Sequence, residues 1–139
     1  MENSYQLERF IQAQEGVYAT VLEELGRGRK RSHWIWFIFP QIAGLGRSST
    51  AQLYAIATLD EARAYLAHPL LGSRLRACCA LMLALPPQPL DAILGAPDDL
   101  KFRSSMTLFS CADPDQPLFA ACLARYFDGV PDAATLALV

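Results

Sequence analysis

The sequence has no apolar run long enough to cross a membrane. Its longest, Ala77 to Leu85, is nine residues and stops at Pro86-Pro87, against about twenty for a transmembrane helix. It has no strong charge of either sign. Twelve Lys and Arg against fourteen Asp and Glu give a formal net charge of −2, which argues against a general nucleic-acid binder and leaves room only for a local basic patch. Charged residues make up 19% and hydrophobic residues 53%, the reverse of a disordered chain. No G-x-x-x-x-G-K-[ST] or G-x-G-x-x-G occurs, so the standard phosphate-loop and Rossmann chemistries are disfavoured. Histidine is scarce (His33 and His68), and Cys78, Cys79, Cys111 and Cys122 show no C-x-x-C spacing, so no metal or cofactor is expected. Each cysteine lies among apolar residues, as buried free thiols do. MENSYQLERF has no apolar core of the kind a secretory signal carries. The expectation is a soluble, reduced, cytoplasmic protein.

What is present reads as one globular domain spanning residues 1–139, mainly α, multihelical, with room for one or two short strands. Leu7, Phe10, Ile11, Val17, Tyr18, Val21, Leu22 and Leu25 recur at helical spacing, and Gly26 follows where a C-terminal cap belongs. This predicts one helix from Leu7 to Leu25. Trp34 to Phe39 shows no period, which suits a short strand buried on both faces or a helical turn. Gly44 to Thr50 reads as a loop. Thr58-Leu59-Asp60-Glu61 is a capping box, and its helix breaks at His68-Pro69. A second helix runs to Leu85 and stops at Pro86-Pro87. Asp91 to Gly95 is a short turn. Asp98-Asp99 place two acids at the positive end of a helix striped by Phe102, Met106 and Phe109. Leu118 to Phe127 is a further helix, and residues 131–139 add a final turn.

Three places invite chemistry. Gln14 falls in the middle of the first apolar stripe, where a buried amide needs partners. It is either a structural hydrogen-bonding group or a recognition amide at a pocket edge. Glu8 projects beside that stripe, as a solvated carboxylate would. Arg27, Arg29, Lys30 and Arg31 lead straight into His33, Trp34 and Trp36. Guanidinium and ammonium groups neutralise phosphate and indoles stack on bases. The same pattern also describes a charged rim over a core. His33 has the side chain for proton transfer near neutral pH but no visible partner. Lys101 and Arg103 flank the Phe102 stripe on opposite sides. Either one leans over an anion, or Asp99 and Arg103 make a local i,i+4 ion pair.

KRSHWIWFIFPQIAGLG (Lys30 to Gly46), PDDLKFRSSMTLF (Pro97 to Phe109), LERFIQAQ and LDEARAYLAHPLLGSRL together resemble the bacterial domain of unknown function 1810, sometimes labelled calpastatin. The resemblance covers nearly the whole chain and implies a helical single domain. Nothing here looks like a calpain-binding repeat. Glu8-x-Phe10-Ile11-Gln12-Ala13-Gln14 is also similar to the E-x-aromatic-apolar-Q-A-Q stretch of the NADAR family, which handles ADP-ribose and related glycosides, and Lys101-Phe102 is similar to a Lys-Phe pair in that family. This second resemblance implies site roles for Glu8, Gln14, Trp34 and Lys101.

The functional expectation is a phosphorylated nucleotide such as ADP-ribose as ligand. Arg29, Lys30, Lys101 or Arg103 would hold phosphate, Trp34 and Trp36 would stack, and Gln14 would orient the ligand. Glu8 or His33 would assist proton transfer if an N-glycosidic bond is hydrolysed. The competing reading is a non-enzymatic protein-interaction domain using the basic-aromatic segment 27–41, with an exposed Trp34 as its anchor. The first reading requires His33, Trp34, Gln14 and Lys101 to meet at one concave pocket.

Overall fold

The stripe from Leu7 to Leu25 folds as two helices. In the computed structural model, which describes residues 5–139, α1 spans Glu8–Gln14 and α2 spans Tyr18–Arg27. The break lies at Gly16, whose φ of +77° is a left-handed backbone that glycine adopts without a Cβ clash. The period survives the break, so Phe10, Val21 and Leu25 are all buried. The cap of α2 comes at Gly28, two residues past the expected Gly26. Its φ is +75°, with Gly28 N–H donating to Leu25 O and Arg29 N–H to Glu24 O, a Schellman arrangement.

Trp34 to Phe39 is a helical turn, with α3 at Ile35–Ile38. This choice of period decides which aromatic goes where. A strand would put Trp34, Trp36 and Ile38 on one face, whereas a helical turn groups residues one and four apart. Accordingly Trp34, Ile35, Ile38 and Phe39 are buried, and Trp36 and Phe37 turn outward to half-burial.

The expected loop Gly44 to Thr50 gives way at its end to α4 (Ser49–Leu53), capped by Ser48 Oγ accepting from Ala51 N–H. The capping box starts α5 (Leu59–Ala67), Thr58 Oγ1 accepting from Glu61 N–H. His68 ends α5, and α6 runs Leu71–Ala84. Then come α7 (Leu90–Leu94), α8 (Asp98–Ala112), α9 (Pro117–Phe127) and α10 (Ala133–Leu138). Among the described residues no strand forms. One parallel bridge, Ile42 to Ile56, joins the ends of the 41–55 excursion.

The longest helix, α8, is the spine. It packs on α5, α7, α9 and α10, while α6 packs on α2, α5 and α9. Its expected stripe of Phe102, Met106 and Phe109 is buried, and so are Ser105, Thr107 and Leu108. Phe39 meets Phe102 edge-on at 4.8 Å, and Phe109 lies between Tyr65 and Phe119. Each such fully buried ring contributes roughly 1.5–3 kcal/mol over exposure. Cys78, Cys79 and Cys122 are buried free thiols as expected, whereas Cys111 is half-buried. Burial pushes the Cys78 thiol up to about 12. Gly72, in the first turn of α6, sits so close to α5 that a Cβ there would lie 2.1 Å from Leu66 O.

Candidate functional site

One buried polar feature was passed over by the motif reading. Glu24 on α2 is buried and gathers the segment behind it. Oε1 accepts from Arg31 N–H (2.8 Å), Ser32 N–H (3.1 Å) and Trp34 Nε1 (2.8 Å), and Oε2 accepts from Ser32 Oγ (2.6 Å). Burial alone would raise this carboxyl. The bonds from Ser32, Arg31 and Trp34 outweigh it and hold the group at about 2. Trp34 is therefore a core residue, 1% exposed with its only donor spent on Glu24. The sequence does hold a signal for this. Glu24 is three residues beyond Val21 inside the apolar arc, and buried indole and hydroxyl donors follow within ten residues.

The basic run divides. Arg27 pairs with Glu23 on the surface, Arg29 and Arg31 are exposed, and Lys30 turns inward. The Lys30 side chain is 7% exposed, its Nζ 2.8 Å from Asp98 Oδ2 and over the Trp34 ring at 5.2 Å. Asp98 Oδ1 also faces Lys101 Nζ at 3.6 Å. Asp98 thus does more than open α8: it is the shared counterion of two candidate phosphate ligands. Because Lys30 holds it at the shorter distance, Lys101 is the looser partner. Lys101 Nζ lies 4.8 Å over the Trp36 ring, a cation–π contact.

The remaining candidates lie elsewhere. Gln14 takes its structural reading. It is 1% exposed, Nε2 donates to Phe37 O (2.8 Å) and Tyr65 Oη (3.2 Å), and Oε1 accepts from Arg74 (3.1 Å). Arg103 donates to Val130 O and lies over the Phe127 ring, tying down the chain before α10. The Asp99–Arg103 pair does not form, and Asp99 Oδ1 accepts from Leu100 N–H instead. Glu8 and His33 are exposed. The expected meeting of His33, Trp34, Gln14 and Lys101 is therefore replaced by a different one. The reason is the helical turn at α3, which sends Trp34 inward and Trp36 outward.

That outward face of Trp36 is a wall of a cleft of about 350 Å³, within the range of ligand sites. Arg47, Ser48, Gln41, Lys101 and Ser104 supply its polar side chains, and Leu45, Pro97 and Leu100 its apolar ones. Two cations and no carboxylate line it. Arg47 is exposed and its guanidinium has no hydrogen-bond or ion-pair partner among the described residues. A smaller chamber of about 110 Å³ adjoins the cleft on Trp36, Gln41, Gly46 and Ala51, and continues to Ala43, Gln52, Tyr54 and Ala55. Glu8, Gln14, Arg29, Lys30, His33, Trp34 and Arg103 line neither space.

Among the described residues no three of His, Cys, Asp and Glu gather as a metal site, and no helix is long and apolar enough to cross a membrane.

The chain resembles a solved structure, the conserved hypothetical protein Rv1873 from Mycobacterium tuberculosis. The two are 50% identical with a TM-score of 0.96 over 97% of this chain and 96% of that one. No protein of curated function matches. The model of DUF1810, a protein family of unknown function, matches residues 4–139. On that match across almost its full length, the chain belongs to the DUF1810 family.

Proposed function

We propose that this protein binds a phosphorylated nucleotide, of the ADP-ribose type, in the cleft lined by Trp36, Arg47 and Lys101. The observation that carries the reading is the lining itself: an indole, an ammonium and a guanidinium without a partner among the described residues share one hollow, and no acid lines it. Arg47 and Lys101 match phosphate, with Ser48 as a hydroxyl donor; the Ser104 hydroxyl is already given to Leu100 O. Trp36 supplies an aromatic wall of the kind a nucleotide uses, one face of it covered by Lys101. Asp98 tempers Lys101 without cancelling it, because Lys30 already occupies the closer oxygen. The short likeness to NADAR proteins suggests the same ligand class. The free thiols suit a reducing, cytoplasmic setting.

Binding, rather than hydrolysis, is the part of this reading that the geometry supports. A general acid for N-glycosidic cleavage has to reach the leaving group within hydrogen-bond distance. Glu8 and His33 do not line the cleft, and no other carboxylate or imidazole does. The protein-interaction reading loses its anchor, since Trp34 is enclosed.

Thermal unfolding with ADP-ribose, NAD and AMP tests the proposal. A ligand at a hundred times its Kd stabilises by about 2.7 kcal/mol, which raises Tm by roughly 8 °C for a domain of this size. Lys101→Ala is expected to remove most of that rise. No rise with any of the three, or an undiminished rise in Lys101→Ala, overturns the reading.

A further inference from the structure

The small chamber behind Trp36 differs in character from the cleft beside it. Its lining is Trp36, Gln41, Ile42, Gln52 and Tyr54 with alanines and glycines between them, and it carries no charged side chain. Lys101, which covers one face of the Trp36 indole, lines the cleft and is absent from the chamber. The chamber thus borders Trp36 without a cation in its lining, and the cleft borders it with two.

Polar groups without a protein partner border the chamber. Among the described residues neither the Gln41 side-chain amide nor Trp36 Nε1, both shared with the cleft, has a protein partner, and the exposed Gln52 spends one Nε2 bond on Arg47 O. An uncharged amide and an indole N–H recognise the edge of a planar, neutral heterocycle or carboxamide. The size agrees. At about 10–15 Å³ per water-sized probe, about 110 Å³ holds several such groups, the scale of one ring rather than of a whole nucleotide.

Part of the chamber's lining is closely packed. A Cβ on Gly46 would lie 2.5 Å from Ala51 Cβ, so the 41–48 excursion lies directly against α4. The Ile42–Ile56 bridge closes the base of the same excursion, with Ala43 N–H donating to Ile56 O and Ile56 N–H to Gln41 O.

We infer that the chamber is a second subsite that accepts the neutral ring of a bipartite ligand whose anionic end lies at Arg47 and Lys101. The inference rests on the proposed cleft reading and deepens it. It places the ring of that nucleotide in the chamber and leaves the cleft to its phosphates.

The test compares pyrophosphate, ribose 5-phosphate and AMP by calorimetry on the full chain and on Ala43→Leu, which fills the chamber and leaves the cleft lining intact. AMP is expected to bind roughly tenfold or more tighter than ribose 5-phosphate. Ala43→Leu should erase that gain while the affinity for pyrophosphate holds. Ala43→Val, a smaller intrusion, replaces it if the leucine variant does not fold. If pyrophosphate binds but AMP gains nothing over ribose 5-phosphate, or keeps its gain in both variants, the ring subsite is overturned and the cleft reading stands. If none of the three ligands binds, both fall together.

Discussion

Replacing Glu24 by glutamine isolates the feature on which the segment from Arg31 to Trp34 depends. The side chain stays isosteric, but one acceptor oxygen becomes a donor amide and the charge disappears. In the native protein four bonds converge on this carboxylate, and they hold it at about 2 against an ordinary 4.5. At about 1.4 kcal/mol for each tenfold change in the proton equilibrium, that gap is worth about 3 kcal/mol.

The sign follows from linkage. The folded carboxyl is depressed, so its contribution is complete above pH 4.5, declines as the unfolded chain takes up a proton, and is gone below pH 2. Urea unfolding at pH 7 should therefore find Glu24→Gln about 3 kcal/mol less stable, near 10 °C in Tm. At pH 3 the gap between the two proteins should shrink by about 2 kcal/mol, because wild type has by then lost most of its advantage. Trp34 fluorescence reports locally, since its Nε1 loses a charged partner. A variant within about 0.5 kcal/mol of wild type at pH 7, or a gap that does not change with pH, refutes the reasoning.

Other outcomes follow from packing. Gly72→Ala raises helix propensity by about 1 kcal/mol yet should destabilise by roughly 2 kcal/mol or more, because the new Cβ meets Leu66 O. A stable Gly72→Ala protein in urea unfolding would show that α5 and α6 can part at no cost. Alkylation of the native protein with iodoacetamide at pH 8 should label at most Cys111, since the other three thiols are buried and burial keeps Cys78 and Cys79 protonated. Fast labelling of a second thiol would contradict the core described for α6 and α9.

Much of the architecture can be read from local signals. The capping box at Thr58, the break at His68-Pro69 and the stop at Pro86-Pro87 act through two or three neighbouring residues, so periodicity and turn chemistry find them. Gly16 carried its own signal, but the uninterrupted apolar period across it hid the break. The site was harder, for a physical reason. Six consecutive large apolar residues have no period, and only the helical or extended choice decides whether Trp34 or Trp36 faces outward. Lys30 and Lys101 are both cations near aromatic rings, yet Asp98 spends itself on the first and leaves the second loosely held, a division that depends on tertiary distance alone. Arg47 and Ser48 lay in a stretch that reads as a plain loop. Their value comes from α8 passing opposite.

Arg9 has a consequence that reaches across the molecule. Its guanidinium, paired with Glu61, donates to the carbonyls of Leu53 and Ala55, the two residues that bracket Tyr54. The first helix among the described residues therefore holds one wall of the small chamber on a short leash. Anything that displaces α1 would loosen Leu53 to Ala55 from a distance, without touching the residues that line the hollow.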